Sequence, residues 1–147
     1  MSASPFDVVV GLFDAQGAVT QRVERELEEG HGLSFSDFML LLHLDAAEGR
    51  RRRLDLARDL HTSTLAVVRA LGPLERIGLV RHEPDPDDPR AAYVLLTDAG
   101  RQLVADARAT LEAASRRLFA ANHPTPAWDQ DDLQRFVQFL ARLTSPH

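Results

Sequence analysis

Six histidines, 22 acidic residues and 17 arginines are the side chains of this 147-residue chain that could do chemistry, and their spacing argues against catalysis. No two histidines have the H-x-x-x-H spacing of a helical zinc site, and the chain has neither a glycine-rich phosphate loop nor a G-x-S-x-G nucleophile turn. The absence of cysteine excludes thiolate metal ligands, disulfides and thiol redox chemistry. We therefore expect no enzyme activity, no metal and no cofactor.

The arginines are concentrated in the middle of the chain, although the whole chain carries a net charge of −5. Residues 50–90 contain nine arginines and seven acidic residues, which leaves this segment at +2 and the rest of the chain at −7. A basic patch is the electrostatic signature of a surface that binds nucleic acid. The difference is small, so it permits a DNA-binding surface in this segment without establishing one.

Two short helices joined by a tight turn are predicted inside this segment. The first helix covers Leu56–Leu60, with Asp55 as its cap, and a turn follows at His61-Thr62. Ser63 caps the second helix, which ends at Ile77-Gly78. This order of elements predicts a helix-turn-helix.

Two local features depart from a regular helix-turn-helix. Pro73 lies inside the second helix, where a proline removes one backbone hydrogen bond, so a kink or break is expected. Arg50–Arg53 precede the first helix, and four consecutive charges cannot all face one partner. This arginine run is either a solvated loop or a contact with phosphates.

A β-hairpin is predicted directly after the helix-turn-helix. Leu79–Glu83 and Ala91–Leu96 have the composition of strands, and the connecting loop Pro84–Arg90 contains three prolines that stiffen it. Val94 and Leu96 are expected on the same side of the returning strand. A hairpin in this place is the wing of a winged helix.

Long helices are predicted at both ends of the chain. Ser4-Pro5 is a cap followed by a proline at the first helical position, and helical spacing of apolar residues continues to Gly30. Thr97 caps a second long helix, and a last helix starts near Asp129. The apolar residues expected to face inward in the last helix are Leu133, Phe136, Val137, Leu140 and Leu143.

The apolar stripes of these long helices exceed what a small winged domain can cover. We therefore expect a second copy of the chain to cover them in a two-fold dimer. The alternative is that the helices close one monomeric core.

The predicted fold class is mainly α with a small β-hairpin wing (α+β), a winged helix-turn-helix flanked by N- and C-terminal dimerisation helices. The chain is expected to form a single unit, in which residues 33–103 are the DNA-binding region and residues 1–32 and 104–147 are the dimerisation helices. No uncharged stretch approaches the ~18 residues that span a bilayer, and the N-terminus lacks the basic region of a signal peptide. We expect a cytoplasmic protein without a membrane partner.

Five short motifs follow one another between residues 33 and 103. They are Leu33-Ser34-Phe35-Ser36-Asp37-Phe38, Leu56-Ala57-Arg58-Asp59-Leu60, Leu74-Glu75-Arg76-Ile77-Gly78-Leu79-Val80-Arg81, Asp85-Pro86-Asp87-Asp88-Pro89-Arg90 and Leu96-Thr97-Asp98-Ala99-Gly100-Arg101. In this order and spacing they resemble the MarR family of bacterial winged-helix transcriptional regulators. The resemblance implies a homodimer that binds double-stranded DNA at a pseudo-palindromic operator, and repression that a small ligand relieves, often a phenolic or other aromatic acid.

The resemblance also implies which residues contact DNA. Asp88 and Arg90 match the wing pattern Asp-x-Arg, in which the aspartate braces the arginine and the arginine enters the minor groove. On the recognition helix, Arg69 is expected to contact guanine and Thr64 a phosphate. The remaining expected contacts are Ser63 at the helix start, Ala66 or Val68 with thymine methyl groups, and Arg58 and Arg81 with the DNA backbone.

The ligand pocket of the family lies between the dimerisation helices and the winged unit. This position implies a pocket formed by Phe13, Phe38, Leu42 and His43, with Arg22 or Arg25 as the partner of a ligand carboxylate. The alternative is core packing for the four pocket residues and solvation for the two arginines.

A second hypothesis is a ligand- or protein-binding relative that has lost sequence-specific recognition of DNA. Two features of the recognition helix motivate it, the apolar run Leu65, Ala66 and Val68, and Pro73. An exposed apolar helix face fits a groove in a protein better than it fits phosphates. Replacement of Arg90 separates the two hypotheses, because only the first predicts a loss of operator binding.

Overall fold

The computed structural model describes residues 2–88, 91–122 and 126–145. This part of the chain contains six helices: α1 (Pro5–His31), α2 (Phe35–Ala46), α3 (Arg53–Asp59), α4 (Thr64–Arg76), α5 (Asp98–Phe119) and α6 (Gln130–Thr144). It also contains three strands, β1 (Arg50–Arg52), β2 (Val80–Glu83) and β3 (Tyr93–Leu96). The chain divides into two compact units, Met1–Leu111 and Glu112–His147, and the boundary falls within α5.

The first helix begins where Ser4-Pro5 predicts. The Ser4 hydroxyl accepts a hydrogen bond from the Asp7 amide at 3.2 Å, and the Asp7 carboxylate accepts one from the Ser4 amide at 2.8 Å. This reciprocal pair is a capping box, which satisfies two backbone donors that the helix leaves free. The helix ends at Gly32, whose φ of 61° is the left-handed conformation that glycine adopts without steric cost.

A serine cap sets the start of α4, as expected, and another serine caps α2. The Ser34 hydroxyl accepts from the Asp37 amide, and the Ser63 hydroxyl accepts from the Ala66 amide, both at 3.1 Å. Such caps stabilise a helix by about 1 kcal/mol. The start of α4 therefore follows from one serine in the sequence.

Thr97 and Gly100 hold the start of α5 against the sheet. The Thr97 hydroxyl accepts from the Gly100 amide at 3.1 Å and donates to the Gly78 carbonyl at 2.6 Å. A Cβ atom at Gly100 would collide with the Leu79 carbonyl oxygen and the Leu96 side chain. Only glycine permits this close approach of helix and strand.

The sheet has three antiparallel strands in the order β1-β3-β2, one more than the predicted hairpin. The additional strand is the arginine run, since Arg50 and Arg81 both pair with Leu95 from opposite sides of β3. The expectation of a solvated loop at Arg50–Arg53 is therefore wrong. Val94 and Leu96 are both buried in the core, so they lie on the same side of β3, as expected.

Two further expectations about the helix-turn-helix are corrected. Helix α3 begins at Arg53, before Asp55, and no side chain caps it. Helix α4 continues through Pro73, so the break expected there is wrong, whereas the expected kink stays a prediction. Gly72 explains this continuity, because a residue without Cβ avoids the clash that a proline makes with its predecessor. Pro73 and Arg69 are both exposed, so water can bind the Arg69 carbonyl that lacks an amide donor.

The hydrophobic core lies in the N-terminal unit. It is formed by buried residues of α1 to α5 and of the sheet, among them Leu27, Leu41, Leu44, Leu56, Val67, Leu71, Val94 and Val104. Val23 and Leu27 are the buried residues of α1. The C-terminal part of this helix thus belongs to the core of the winged region, whereas residues 1–32 were expected to serve dimerisation.

Apolar side chains remain exposed on both terminal helices. Phe6 and Phe13 of α1 are 74% and 72% exposed. No residue of α6 is buried, so the residues expected to face inward there are not covered within one chain. In the C-terminal unit, Trp128 packs edge-on against Phe119 and Phe136, with ring centroids 5.1 and 5.5 Å apart. None of the helices in the described part of the chain has the length and hydropathy that a bilayer-spanning segment needs.

Candidate nucleic-acid interface

Helix α4 has one buried side and one exposed side. Val67, Leu71 and Leu74 point into the core, which fixes the rotation of the helix. Leu65, Arg69 and Arg76 lie on the opposite side and are exposed. Of the other predicted DNA contacts, Ala66 and Val68 are exposed on the flanks of α4, and Thr64 is exposed in its first turn. The hydroxyl of Ser63 is the helix cap.

The turn between α3 and α4 is fixed by backbone hydrogen bonds. The Thr62 amide donates to the Ala57 carbonyl at 2.9 Å, and the His61 amide donates to the Arg58 carbonyl at 3.1 Å. This pair of bonds is a Schellman motif, in which the residue after the cap adopts a left-handed conformation. His61 occupies that position with φ of 53°, where glycine is more common. The turn sets the position of α4 relative to α3.

The strand arginines are engaged in ion pairs. Arg51 donates two hydrogen bonds to the Asp59 carboxylate, at 2.9 and 3.0 Å. These bonds lower the pKa of Asp59 below its usual value, and burial opposes the shift. The pair joins β1 to the end of α3. Neither Arg51 nor Asp59 was among the predicted site residues.

Arg50 and Arg52 stabilise the base of the wing. Arg50 pairs with Glu83 at 3.2 Å, and Arg52 pairs with Asp85 at 2.9 Å. Both guanidinium groups also lie over the ring of Tyr93, at 3.7 and 5.1 Å from its centroid. Asp85 is 7% exposed, so its charge is withdrawn from any DNA that approaches the wing.

Other arginines of the winged region lack such partners. Arg69, Arg76 and Arg81 are exposed and form no ion pair or hydrogen bond among the described residues. Arg58 has only a distant contact with Asp55, at 3.9 Å, and its side chain is 73% exposed. These four guanidinium groups are available to phosphates or base edges.

A contact between α4 and the wing lies at the end of the helix. His82 Nδ1 of β2 is 2.7 Å from Glu75 Oε1 of α4, and this hydrogen bond lowers the pKa of Glu75. The carboxylate nearest the exposed side of α4 is therefore already partnered.

The wing tip is described only in part. The Asp88 carbonyl accepts a hydrogen bond from the Ala91 amide at 3.0 Å, which turns the chain back towards β3. Arg90, the arginine expected to enter the minor groove, lies outside the described residues. Its bracing by Asp88 stays a prediction.

A basic cleft lies beside the sheet. Its lining includes Arg50, Arg81 and Arg101, together with Thr97 and Asp98. Arg81 was expected to contact the DNA backbone, whereas Arg101 was not considered. Arg50 pairs with Glu83 and Arg101 contacts Asp98 at 3.5 Å, so Arg81 is the guanidinium of this cleft that has no ion-pair partner among the described residues.

The residues expected to form a ligand pocket occupy different environments. Phe38 is 3% exposed and belongs to the hydrophobic core. Leu42 and His43 are half-buried on α2, whereas Phe13, Arg22 and Arg25 are exposed on α1. A separate apolar cleft in the C-terminal unit is lined by Trp128, Arg135, Phe136 and Phe139, among others. The described residues contain no cluster of three or more metal-ligating side chains.

Two residues that the sequence did not identify as site residues become visible here. The charge of Asp85 would repel a phosphate, and its burial against Arg52 withdraws that charge from the surface. Arg76 was counted only towards the charge of the segment, and the end of α4 places it on the exposed side. The helical repeat was the available signal for Arg76, since it lies seven residues after Arg69.

Comparison with known proteins identifies the domain. Residues 33–100 match the family model described as a winged helix DNA-binding domain. A search of curated proteins finds no match.

Solved structures share the fold over nearly the whole chain. A MarR-family transcriptional regulator from Rhodococcus sp. RHA1 has a TM-score of 0.84 at 23% identity, covering 100% of this chain and 99% of its own. CouR from Rhodococcus jostii RHA1, bound to p-coumaroyl-CoA, has a TM-score of 0.82 at 23% identity, covering 100% and 98%. A mutant MarR from E. coli, complexed with operator DNA, has a TM-score of 0.72 at 20% identity, covering 96% and 99%. The predicted resemblance and fold class are confirmed.

Proposed function

We propose that this chain, which contains a winged helix DNA-binding domain and has the fold of the MarR-family transcriptional regulators, is a sequence-specific DNA-binding regulator of transcription. The main support for the proposal is the charge pattern on the exposed side of α4. Arg69 and Arg76 project there without partners among the described residues, whereas the nearby carboxylate of Glu75 is bound by His82. A helix with this charge pattern at the second position of a helix-turn-helix suits the major groove of DNA.

The two types of contact that specific DNA binding requires are both available. Arg69 lies near the middle of α4, where a guanidinium can bind guanine O6 and N7. Arg58 and Arg81 lie on neighbouring elements and are exposed, which suits contacts with phosphates. Phosphate contacts fix the register of the protein, and base contacts select the sequence.

The acting form is a homodimer. Phe6 and Phe13 are exposed on α1, and the apolar residues of α6, among them Val137 and Leu143, are exposed as well. An amphipathic helix without a covered apolar face requires a partner. A second copy related by two-fold symmetry supplies one, and it also presents a second α4 to a half-site ~34–36 Å away.

The regulator acts as a repressor that a small ligand releases from its operator. CouR, whose fold this chain shares, is bound to p-coumaroyl-CoA, which carries a phenolic group. The aromatic ring of such a ligand suits the half-buried Leu42 and His43 of α2. Phe13 of α1 is a further candidate for the ring, and the exposed Arg22 or Arg25 of α1 is the candidate partner of its acidic group. A ligand that prefers a dimer geometry unable to reach both half-sites would lower DNA affinity.

Fluorescence anisotropy tests the proposal. The full-length protein is titrated against DNA from upstream of its own gene and against a scrambled sequence, over a range of salt concentrations. We expect a preference of ~10³ or more for one sequence, with a steep dependence on salt. If the upstream DNA shows no preference, selection from a random DNA library identifies the operator. Failure of that selection as well would refute the proposal.

The oligomeric state is tested separately. Analytical ultracentrifugation of the wild type is expected to give a dimer, and Phe13→Glu is expected to shift it towards monomer because a charge replaces an exposed apolar group. Leu54→Glu, which places the same charge at an exposed apolar residue of α3 outside the dimerisation helices, is the control. A monomeric wild type that still binds palindromic DNA tightly would refute the dimer.

A second candidate function is a module that binds another protein. The exposure of Leu65 and Val68 on α4, 58% and 40%, is the observation in its favour. This function predicts weak DNA binding without sequence preference, so the same titration distinguishes the two.

A further inference from the structure

The exposed side of α4 carries apolar side chains at the end that starts the helix. Leu65 is 58% exposed and Val68 is 40% exposed. We propose that Leu65, with Val68 beside it, is a specificity-determining residue that contacts the C5-methyl group of thymine in the major groove. This inference rests on the proposed DNA-binding function and names the base that the helix selects.

The helical repeat places Leu65 in line with the unpaired arginines. With 3.6 residues per turn, positions four and eleven residues apart lie along nearly one side of a helix. Leu65, Arg69 and Arg76 have this spacing and are all exposed, opposite the buried side of α4. Ala66, which the sequence suggested for thymine contact, lies to the side of this line, about one quarter turn away. Leu65 is therefore the apolar residue at the leading end of the outward face.

Thymine is the base that fits this side chain. Leucine has no donor or acceptor, so a polar base edge beside it would lose its water without gaining a hydrogen bond. The thymine methyl is the apolar group that base pairs present in the major groove. In helix-turn-helix proteins the first residues of the recognition helix contact base edges, and Leu65 is the second residue of α4.

The charges around Leu65 favour DNA over a protein groove. The first turn of α4 contains no acidic residue. Within the part of the chain that the structure describes, Arg69 and Arg76 lie along the same side without partners, and the Glu75 carboxylate is bound to His82. An apolar contact flanked by free guanidinium groups is complementary to a base edge flanked by phosphates.

Uracil substitution tests the contact. An operator is obtained by selection from random DNA with the full-length protein, and each half-site thymine is then replaced in turn by deoxyuridine, which removes only the methyl group. For one thymine per half-site we expect the wild type to lose about 4-fold in affinity, and about 15-fold when both half-sites are changed. Leu65→Ala is expected to bind the thymine operator with the affinity that the wild type has for the uracil operator. Because this variant lacks the contact with the methyl group, it should bind the two operators equally.

Ile77→Ala is the matched control, because Ile77 is also apolar and exposed, at 68%, and lies at the other end of α4. This variant should keep the preference for thymine over uracil. Thermal unfolding of both variants checks that they fold, and Leu65→Asn, which removes the apolar contact at similar size, repeats the test.

Three results would overturn the inference. If the wild type binds the thymine and uracil operators equally, Leu65 does not contact the methyl group. The exposed Leu65 would then be a candidate contact for a protein partner. A preference for thymine that persists in Leu65→Ala would assign the contact to another residue. Selection that enriches no sequence would overturn the proposed function, and this inference with it.

Discussion

Two groups of arginines in the winged region differ in their partners. Arg50, Arg51 and Arg52 of β1 each pair with a carboxylate, on β2, α3 and the wing loop respectively. Arg69 of α4 and Arg81 of β2 are exposed and form no ion pair among the described residues. The three arginines of β1 thus join elements of the fold, while Arg69 and Arg81 have no ion-pair partner among the described residues.

The difference shows that density of positive charge does not locate a DNA-binding surface. A guanidinium that is already bound to a carboxylate must break that contact before it binds a phosphate, and Arg51 must break two hydrogen bonds. A free guanidinium has no such cost. We therefore expect the two groups to respond differently to mutation, the first in stability and the second in DNA binding.

Arg69→Ala should have the largest effect on DNA binding. Loss of a guanine contact is expected to weaken binding to the selected operator by about 5- to 150-fold, and binding to random DNA by much less. Anisotropy with both DNAs measures the two losses, and urea unfolding should be unchanged. Arg116→Ala, which removes one exposed charge from α5, is the control. Equal losses on both DNAs would make Arg69 a phosphate contact.

Arg51→Ala should reduce stability and leave DNA affinity unchanged. Its side chain and that of Asp59 are 37% and 29% exposed, so we expect a loss of about 1 kcal/mol in the free energy of unfolding rather than the value of a buried pair. Urea unfolding of the wild type, both single variants and the double variant isolates the interaction. If Arg51→Ala weakens operator binding tenfold at unchanged stability, β1 belongs to the DNA-binding surface and the comparison fails.

Arg81→Ala should weaken binding to every DNA sequence by the same factor, about threefold at physiological salt. The expected cause is the loss of one phosphate contact, so the slope of log affinity against log salt should decrease by about 1. Titrations of operator and random DNA at several salt concentrations give both quantities. An unchanged slope would show that Arg81 contacts no phosphate.

The helices and the wing were predictable because their signals are local. Ser34, Ser63 and Thr97 are caps that act on the amide three residues later. Alternation in β3 placed Val94 and Leu96 on the same side of the strand, and both are buried. Each of these features depends on a few neighbouring residues.

The arginine strand and its ion pairs were not predictable, because they depend on residues distant in sequence. β1 pairs with β3, and Arg51 pairs with Val94 across that ladder. Burial of Asp85 requires Arg52, which lies 33 residues earlier. Four arginines in a row have no alternation of apolar and polar residues, so the sequence carried no strand signal. The free arginines of α4 are identified only after the partners of all the others are known.

The smallest effect is expected in the acid stability of the Arg51–Asp59 pair. The hydrogen bonds from Arg51 lower the pKa of Asp59 in the folded protein below the usual value of 3.8. A depressed carboxyl pKa contributes stability above the unfolded value, and this contribution is lost as pH falls through the lower, folded value. At pH 5 the wild type should therefore have a higher free energy of unfolding than Asp59→Asn. The difference should be smaller than the ~1 kcal/mol expected for the whole pair, and it should decrease towards pH 3.

The same substitution in an Arg51→Ala background isolates the cause. Without the guanidinium, replacement of Asp59 should produce no comparable change between pH 5 and pH 3, because the main cause of the lowered pKa is gone. Urea unfolding at each pH measures the four proteins. If the pH-dependent difference in unfolding free energy that Asp59→Asn produces persists in Arg51→Ala, other charges near Asp59 cause it. The Arg51–Asp59 pair would then not stabilise the fold as the comparison of the two arginine groups requires.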